Sequence, residues 1–261
     1  MDASEAETRF KSAERTTRTF LTPKDYGVMR FDGRSFHTYC AGLQRPADQE
    51  FMGHMDAVAI ALLTGLSGAR LAYVQSDEIS VIFVDWREPG SGDEGAGPQM
   101  MFGGSVQKLT SIGAAIASTT MNLLRHGTHT DKIALFDARA FSLPTREDTV
   151  DYLAWRQHDA GKNSVSMTAS THFSPKALDG KSTADRVAML AEMGVPMDST
   201  PLGFRRGRVI VREPQPGSTT FIHKGTGLPQ TVTYTRLVPV SQPAPLFAKD
   251  NSLVPAGRVV A

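Results

Sequence analysis

Two apolar runs, Leu-Ala-Tyr-Val at 71–74 and Ile-Ser-Val-Ile-Phe-Val at 79–84, are separated only by Gln75-Ser-Asp-Glu78. So short a connection folds the chain back on itself, and the two runs read as a hairpin of antiparallel strands. That hairpin places Asp77 and Glu78 at a strand tip. Upstream, Tyr-Gly-Val-Met-Arg-Phe-Asp at 26–32 alternates Val28, Arg30 and Asp32 with Met29 and Phe31, a further strand ending at Asp32-Gly33. Pro46, Asp48 and Glu50 open a helix whose buried face is Phe51, Met55, Val58, Ala59 and Leu62. A second helix is expected over about 104–125, with Val106, Leu109, Ile116, Leu123 and Leu124 at helical spacing. Residues 133–141 read as a strand, with Asp137 and Arg139 opposite Phe136, and 147–172 as a mostly helical segment. Ser182 with Asp185 resembles a capping box, and Gly194 ends that helix. Residues 203–212 form a basic strand candidate and 231–240 another; the last twenty residues are Pro-rich and read as loop or tail. Strands and helices alternate without a regular βαβ rhythm, so the fold class is α+β rather than a doubly wound sheet.

Composition removes several classes of function. With 28 Lys plus Arg against 27 Asp plus Glu, no global field draws the chain onto nucleic acid, and any such contact needs a local basic patch. The lone Cys40 excludes an intrachain disulfide and a multi-cysteine zinc site. No apolar run approaches the length of a membrane span, so no membrane partner is expected. The first residues mix Asp2, Glu5 and Glu7 with Arg9, Lys11 and Arg15 and lack the apolar stretch of a signal peptide; a reducing, cytoplasmic setting is the expectation. The histidines form no close metal-binding pair.

The informative residues are acids at strand ends. If the strand ending at Asp32 neighbours the hairpin, Asp32 and Asp77 point to one spot. Two carboxylates with backbone carbonyls nearby are a hard oxygen site suited to Mg²⁺ with room for phosphate oxygens. Two such ions about 3.5–4 Å apart would activate an attacking hydroxyl and stabilise leaving pyrophosphate, as in a nucleotidyl-transfer palm. The plainer reading is turn chemistry, for which Asp-Gly and Ser-Asp-Glu are common. Gly33-Arg-Ser-Phe-His37 is either a backbone cradle for a triphosphate, with Arg34 adding charge, or an ordinary turn with Phe36 in the core. Arg156, Asp159 or Ala160, and Asn163 share one helical face, which binds a phosphate or base or is simply solvated. Lys108 is equally ambiguous. Arg205, Arg206 and Arg208 cluster as for a phosphate backbone, or lie on a solvent-exposed edge strand. Gly90-Ser-Gly-Asp-Glu-Gly95 matches a dinucleotide fingerprint only on paper, since Asp93 and Glu94 repel phosphate and Pro98 delays the helix. Cys40 reads as a small buried hydrophobe.

Taken in order, these pieces resemble one family. Arg30-Phe-Asp-Gly-Arg-Ser-Phe-His37, Arg45-Pro-Ala-Asp48, Tyr73-Val-Gln-Ser-Asp-Glu78, Phe136-Asp-Ala-Arg139, Asp151-Tyr-Leu-Ala-Trp-Arg-Gln157 and the basic Arg205-Arg-Gly-Arg-Val-Ile210 are similar to the tRNA-His guanylyltransferase family. The likeness runs from about Tyr26 to Arg212. It implies a polymerase- or cyclase-like palm, an antiparallel sheet with helices packed on it. It also implies nucleotide addition to the 5′ end of tRNA, in the 3′-to-5′ direction. The 5′ end is activated, and the 3′-hydroxyl of an incoming nucleotide attacks it.

By that resemblance Asp32, the Gly33 carbonyl and Asp77 would hold two Mg²⁺ ions, with Glu78 a further catalytic candidate. Gly33, Arg34, Ser35, Phe36 and His37, with Ser76, would cradle the triphosphate. Arg30, Arg45, Lys108 and Asn163 match positions that contact nucleotide or 5′ phosphate. Arg156, Lys162, Arg205, Arg206 and Arg208 are the RNA-binding candidates. GTP and ATP are the implied substrates and tRNA the partner, with a homo-oligomer, commonly a tetramer, as the assembly. The implied layout is an N-terminal extension (1–24), a palm-like catalytic domain with tRNA-binding helices (25–215), and a C-terminal strand and Pro-rich tail (216–261). Where eukaryotic members carry His-Ile-Asn-Asn, this chain has Gly161-Lys-Asn-Ser164, which looks more like the guanylyltransferase-like branch that restores missing 5′ nucleotides. The alternatives are a strict tRNA-His guanylyltransferase, a non-catalytic RNA-binding palm protein, and a palm enzyme acting on nucleotides alone.

Overall fold

The computed structural model describes residues 2–87, 97–125 and 132–257. The chain opens on an exposed helix, α1 (Ala3–Arg15), then enters strand β1 (Tyr26–Gly33) and a one-turn helix, α2 (Phe36–Tyr39). Helix α3 (Gln49–Gly65) precedes the hairpin of β2 (Ala69–Gln75) and β3 (Glu78–Phe83). Helix α4 (Val106–Leu124), strand β4 (Phe136–Leu143) and the long helix α5 (Arg146–His172) follow. Short helices α6 (Pro175–Leu178), α7 (Thr183–Glu192) and α8 (Leu202–Arg206) lead to two long strands, β5 (Arg208–Ile222) and β6 (Pro229–Pro243).

The strands make one sheet in the order β4-β1-β3-β2-β5-β6, every pairing antiparallel. This is the α+β, palm-like architecture expected. Both faces of its centre are covered. Helices α3 and α4 pack on Met29, Phe31, Val74, Ile79 and Val81. On the other face Tyr152 and Leu153 of α5, with Phe247 and Val254, pack on Val28, Tyr73, Ile82 and Val209. Double coverage explains why every residue of β3 is buried and why the hairpin strands read as continuous apolar runs instead of alternating. The one polar residue inside β3, Ser80, shares a 2.8 Å hydrogen bond with the Tyr152 hydroxyl.

The start of α3 is capped as its sequence suggests: the Asp48 carboxylate accepts from the Phe51 N–H at 2.8 Å and the Gln44 N–H at 3.0 Å. The capping box of Ser182 and Asp185 is formed, and Gly194 follows α7 with φ +81°.

Three expectations need correction. On α4 the buried stripe is Leu109, Gly113, Ala117 and Met121, while Leu123 and Leu124 are exposed. At Gly113 the helix lies so close to β1 that no side chain fits: a Cβ there would stand 2.7 Å from Met29 Cε and Phe31 Cε1. Gly113→Ala is therefore expected to lower stability by about 1–3 kcal/mol through overpacking, despite a helix-propensity gain of about 1 kcal/mol, as a chemical melt would show. Second, residues 203–212 are not one strand. Helix α8 ends at Arg206, Gly207 turns with φ +78°, and β5 begins at Arg208. Third, the Pro-rich C-terminal segment has no regular structure but is no loose tail. Phe247 and Val254 are buried in the second core, and Gln157 clamps the segment, donating to Pro245 O at 2.7 Å and accepting from Phe247 N at 3.2 Å.

Strand β5 runs unbroken across residues 215 and 216, and with β6 it extends as an exposed two-stranded ribbon. The stretch 90–95 and most of the Gly-rich segment 88–99 lie outside the described residues. Among the described residues no helix is long and apolar enough to cross a membrane.

Candidate active site

Strand β1 lies between β3 and β4, so Asp32 sits opposite Glu78 on one side and Asp137 on the other. The backbone closes the junction with the hairpin, Gly33 N–H donating to the Asp77 carbonyl at 3.1 Å. The two strand ends carrying Asp32 and Asp77 are thus neighbours, the condition on which the shared site depended. Burial, foremost, and then the nearby Asp32 and Glu78 carboxylates push the Asp77 carboxyl above its ordinary range; its own backbone N–H and the Ser76 hydroxyl partly offset this. An acid placed among acids at a half-buried turn has no stabilising role in the protein alone. A divalent cation would relieve it, and the donor set of two carboxylates and a backbone carbonyl is one that Mg²⁺ accepts when substrate phosphates and water complete its shell. Among the described residues no group of three or more His, Cys, Asp or Glu side chains gathers into a self-sufficient metal site.

Beside this junction opens a cavity of about 520 Å³, within the range of small-molecule sites. The turn after β1 forms one wall through Gly33, Ser35, Phe36 and His37; the loop at Arg45 and Asp48 forms another. Ser76 and Asp77 of the hairpin tip, Asn163 of α5, and Phe204 and Arg208 complete it. Ser35 and Ser76 both hold left-handed backbone angles, φ +56° and +47°. Such non-glycine conformations cost about 1–3 kcal/mol and concentrate at functional sites. Gly33 is required for packing: a Cβ there would meet the Phe36 ring at 2.4 Å. Phe36 in turn packs against Tyr39 and Phe136, fixing the turn onto the core. Cys40 also lines the cavity, but burial first, and then the Asp77 charge, pushes its thiol up to about 11, so it is no nucleophile.

The structure separates the remaining candidates. Gly33, Ser35, Phe36, His37, Arg45, Ser76, Asp77 and Asn163 border the cavity; Arg34 and Lys108 are exposed and do not. Glu78 is not a free acid. It is buried and held by Arg156 through Nε at 2.7 Å and Nη2 at 2.6 Å, with Arg30 Nε at 4.0 Å. Arg156, expected on an RNA-binding face, is therefore spent on this pair and on Asp159 at 2.8 Å, and stacks on the exposed Trp155 ring at 4.5 Å. Arg208 is likewise buried, its Nε 2.7 Å from Asp56. Its place on the cavity wall is structural, and no strand edge presents it to a phosphate backbone. Arg205 pairs with Asp198 at 2.6 Å. Lys162 is exposed and Arg206 partly so. Sequence reading missed Asp56, whose partner lies 152 residues away, and gave no role to Gln75 although it sits inside the quoted motif.

The model of the tRNA(His) guanylyltransferase (Thg1) family matches residues 7–144, just over half of the chain. A probable tRNA(His) guanylyltransferase of Drosophila melanogaster is 27% identical over 208 residues, covering 74% of this chain and 69% of that one. Among solved structures, a bacterial tRNA(His) guanylyltransferase (Thg1)-like protein in complex with ATP superposes with a TM-score of 0.78 at 27% identity, covering 95% of this chain and 98% of the other. A bacterial Thg1-like protein in complex with GTP superposes with a TM-score of 0.70 at 26% identity, covering 96% and 97%. With the family's model matching residues 7–144, which carry four of the six strands of the sheet, the chain belongs to the tRNA(His) guanylyltransferase family.

Proposed function

We infer that this chain is a Mg²⁺-dependent nucleotidyltransferase that adds nucleotides to the 5′ end of tRNA in the 3′-to-5′ direction, restoring missing 5′ residues. The observation that carries the reading is the meeting of Gly33 and Asp77 on the wall of a cavity large enough for a nucleoside triphosphate, with Asp32 beside Gly33 at the end of β1. GTP and ATP are its proposed nucleotides, which the bacterial relatives' complexes support.

In this reading Asp32, Asp77 and the Gly33 carbonyl hold the metal, which supplies charge stabilisation on the phosphates and lowers the pKa of the attacking hydroxyl. The turn from Gly33 to His37 presents the backbone N–H groups of Ser35, Phe36 and His37 to the triphosphate, those of Gly33 and Arg34 being bonded to the Asp77 and Leu135 carbonyls, and its left-handed Ser35 keeps that turn tight. Arg45, exposed at the cavity rim, supplies positive charge, and Asn163 a neutral polar contact from α5. Glu78 acts indirectly: its pair with Arg156 fixes the hairpin tip to α5, so Ser76 and Asp77 do not drift.

The stretch Gly161-Lys-Asn-Ser164 favours repair over selective guanylylation of tRNA-His. The discriminating assay supplies Mg²⁺, ATP, labelled GTP, and either tRNA-His or another tRNA lacking its first nucleotide. Templated restoration of the truncated tRNA is the expected result. Addition of a single G to tRNA-His alone would select the strict guanylyltransferase, and no incorporation on either RNA would reject both.

Of the five basic residues proposed for RNA, Arg206 and Lys162 have no ion pair among the described residues. Arg206→Glu is expected to weaken tRNA binding about equally across tRNA sequences and to reduce the slope of log affinity against log salt by about 1. Binding measured by filter retention over a salt series checks this; an unchanged slope would remove Arg206 from the interface.

A further inference from the structure

One polar atom of a cavity-lining residue has no partner among the described residues. Gln75, the last residue of β2, lines the cavity at 3% exposure, and its side-chain oxygen Oε1 is without a hydrogen bond among the described residues. Its nitrogen is committed, Nε2 donating to Glu78 Oε1 at 3.3 Å. Glu78 is itself clamped by the Arg156 guanidinium, so it is an ionised acceptor. An ionised carboxylate cannot donate. The amide therefore cannot turn over without setting oxygen against oxygen, and the carbonyl end is fixed as a lone acceptor. Buried acceptors in folded proteins almost always have a donor, and an orphan is destabilising. An orphan held in place by a buried ion pair on a cavity wall marks where a ligand supplies the donor.

The neighbourhood narrows that donor. Gln75 directly precedes Ser76 and Asp77, at the end of the cavity assigned to phosphate and metal. Phosphate oxygens are acceptors and cannot satisfy Oε1. Phe36, Leu43, Phe51 and Met52 also line the cavity and give it an apolar surface suited to a base. Between base and phosphate a nucleotide carries its sugar hydroxyls. We propose that Gln75 positions the bound nucleotide by accepting a hydrogen bond from a ribose hydroxyl. The assignment rests on the cavity being the nucleotide site. It makes Gln75 a positioning residue for the group that must attack, oriented through Glu78 and Arg156.

The test measures binding of GTP and of 2′,3′-dideoxy-GTP to the full chain in Mg²⁺, for wild type and for Gln75→Met, a substitution of similar shape without the acceptor. Wild type is expected to bind GTP about tenfold more tightly than the dideoxy nucleotide. In Gln75→Met the two affinities should converge at the wild-type dideoxy value. Discrimination that survives in Gln75→Met, or equal affinities in wild type, overturns the proposal while leaving the nucleotide site standing. Failure of wild type to bind GTP at all would instead remove the nucleotide site, and this assignment with it. Should Gln75→Met not fold, 2′-deoxy- and 3′-deoxy-GTP on wild type decide: equal affinity for both and for GTP overturns the proposal, and a loss of about tenfold with either supports it.

Discussion

Replacing Asp77 with asparagine is expected to abolish nucleotidyl transfer without harming the fold. The loss in turnover should be on the order of a thousandfold or more, since it removes a charged ligand from the group that stabilises the phosphates. The melting temperature of the metal-free protein should not fall. Asp77 sits in a two-residue turn, makes no ion pair among the described residues, and is pushed above the ordinary carboxyl range by burial and by the Asp32 and Glu78 charges. The sign follows from linkage. A carboxyl whose folded pKa is raised favours the native state only when protonated, and its contribution turns unfavourable as pH rises through the unfolded value toward the folded one. At neutral pH the neutral amide removes that penalty. A destabilising site that is required for turnover is the pattern expected of catalytic machinery. A variant that keeps its activity would show that Asp77 is only a turn residue.

The second large effect is on stability. Arg156→Leu leaves the Glu78 carboxylate buried, with Arg30, 4.0 Å away, and the Gln75 amide as its remaining partners among the described residues. Breaking a buried pair from one side costs about 3–5 kcal/mol, because an uncompensated charge remains in the interior. Adding Glu78→Gln to Arg156→Leu should recover most of that loss. Denaturant unfolding of the two variants and the double variant measures this directly, and a cost below about 1 kcal/mol for Arg156→Leu, typical of exposed pairs, would contradict the burial argument. Activity should fall in Arg156→Leu as well, through loosening of the hairpin tip.

Much of the architecture was legible because it is local. The hairpin followed from two apolar runs too close together to do anything but pair. The Asp48 cap and the Ser182–Asp185 box followed from short-range hydrogen bonding. The convergence of Asp32 and Asp77 was legible only conditionally, because neighbouring of β1 and β3 is a pairing between distant segments, and the family resemblance supplied what spacing could not. The side chains misread were charges. Glu78, Arg156 and Arg208 look like surface chemistry in a sequence. Their partners, 78 residues away for Arg156 and 152 for Arg208, exist only in the folded chain. The α4 stripe was legible in part: Leu109, Val106 and Ile116 pack on the core, whereas Gly113 and Ala117 of the buried face carry little hydrophobic signal. Gln75 shows the same limit, since an orphan acceptor is visible only once its nitrogen has been seen to be spent.

The central claim is that Asp32 and Asp77 form a metal site that works on a nucleotide in the adjoining cavity. The most direct measurement is Mn²⁺ binding by electron paramagnetic resonance in the presence of GTP, for wild type, Asp32→Asn and Asp77→Asn, alongside transfer to a 5′-truncated tRNA. The account predicts GTP-dependent Mn²⁺ binding by wild type, its loss in both variants, and transfer that tracks occupancy. Transfer in the absence of divalent metal, or Mn²⁺ binding indifferent to both substitutions, would contradict it.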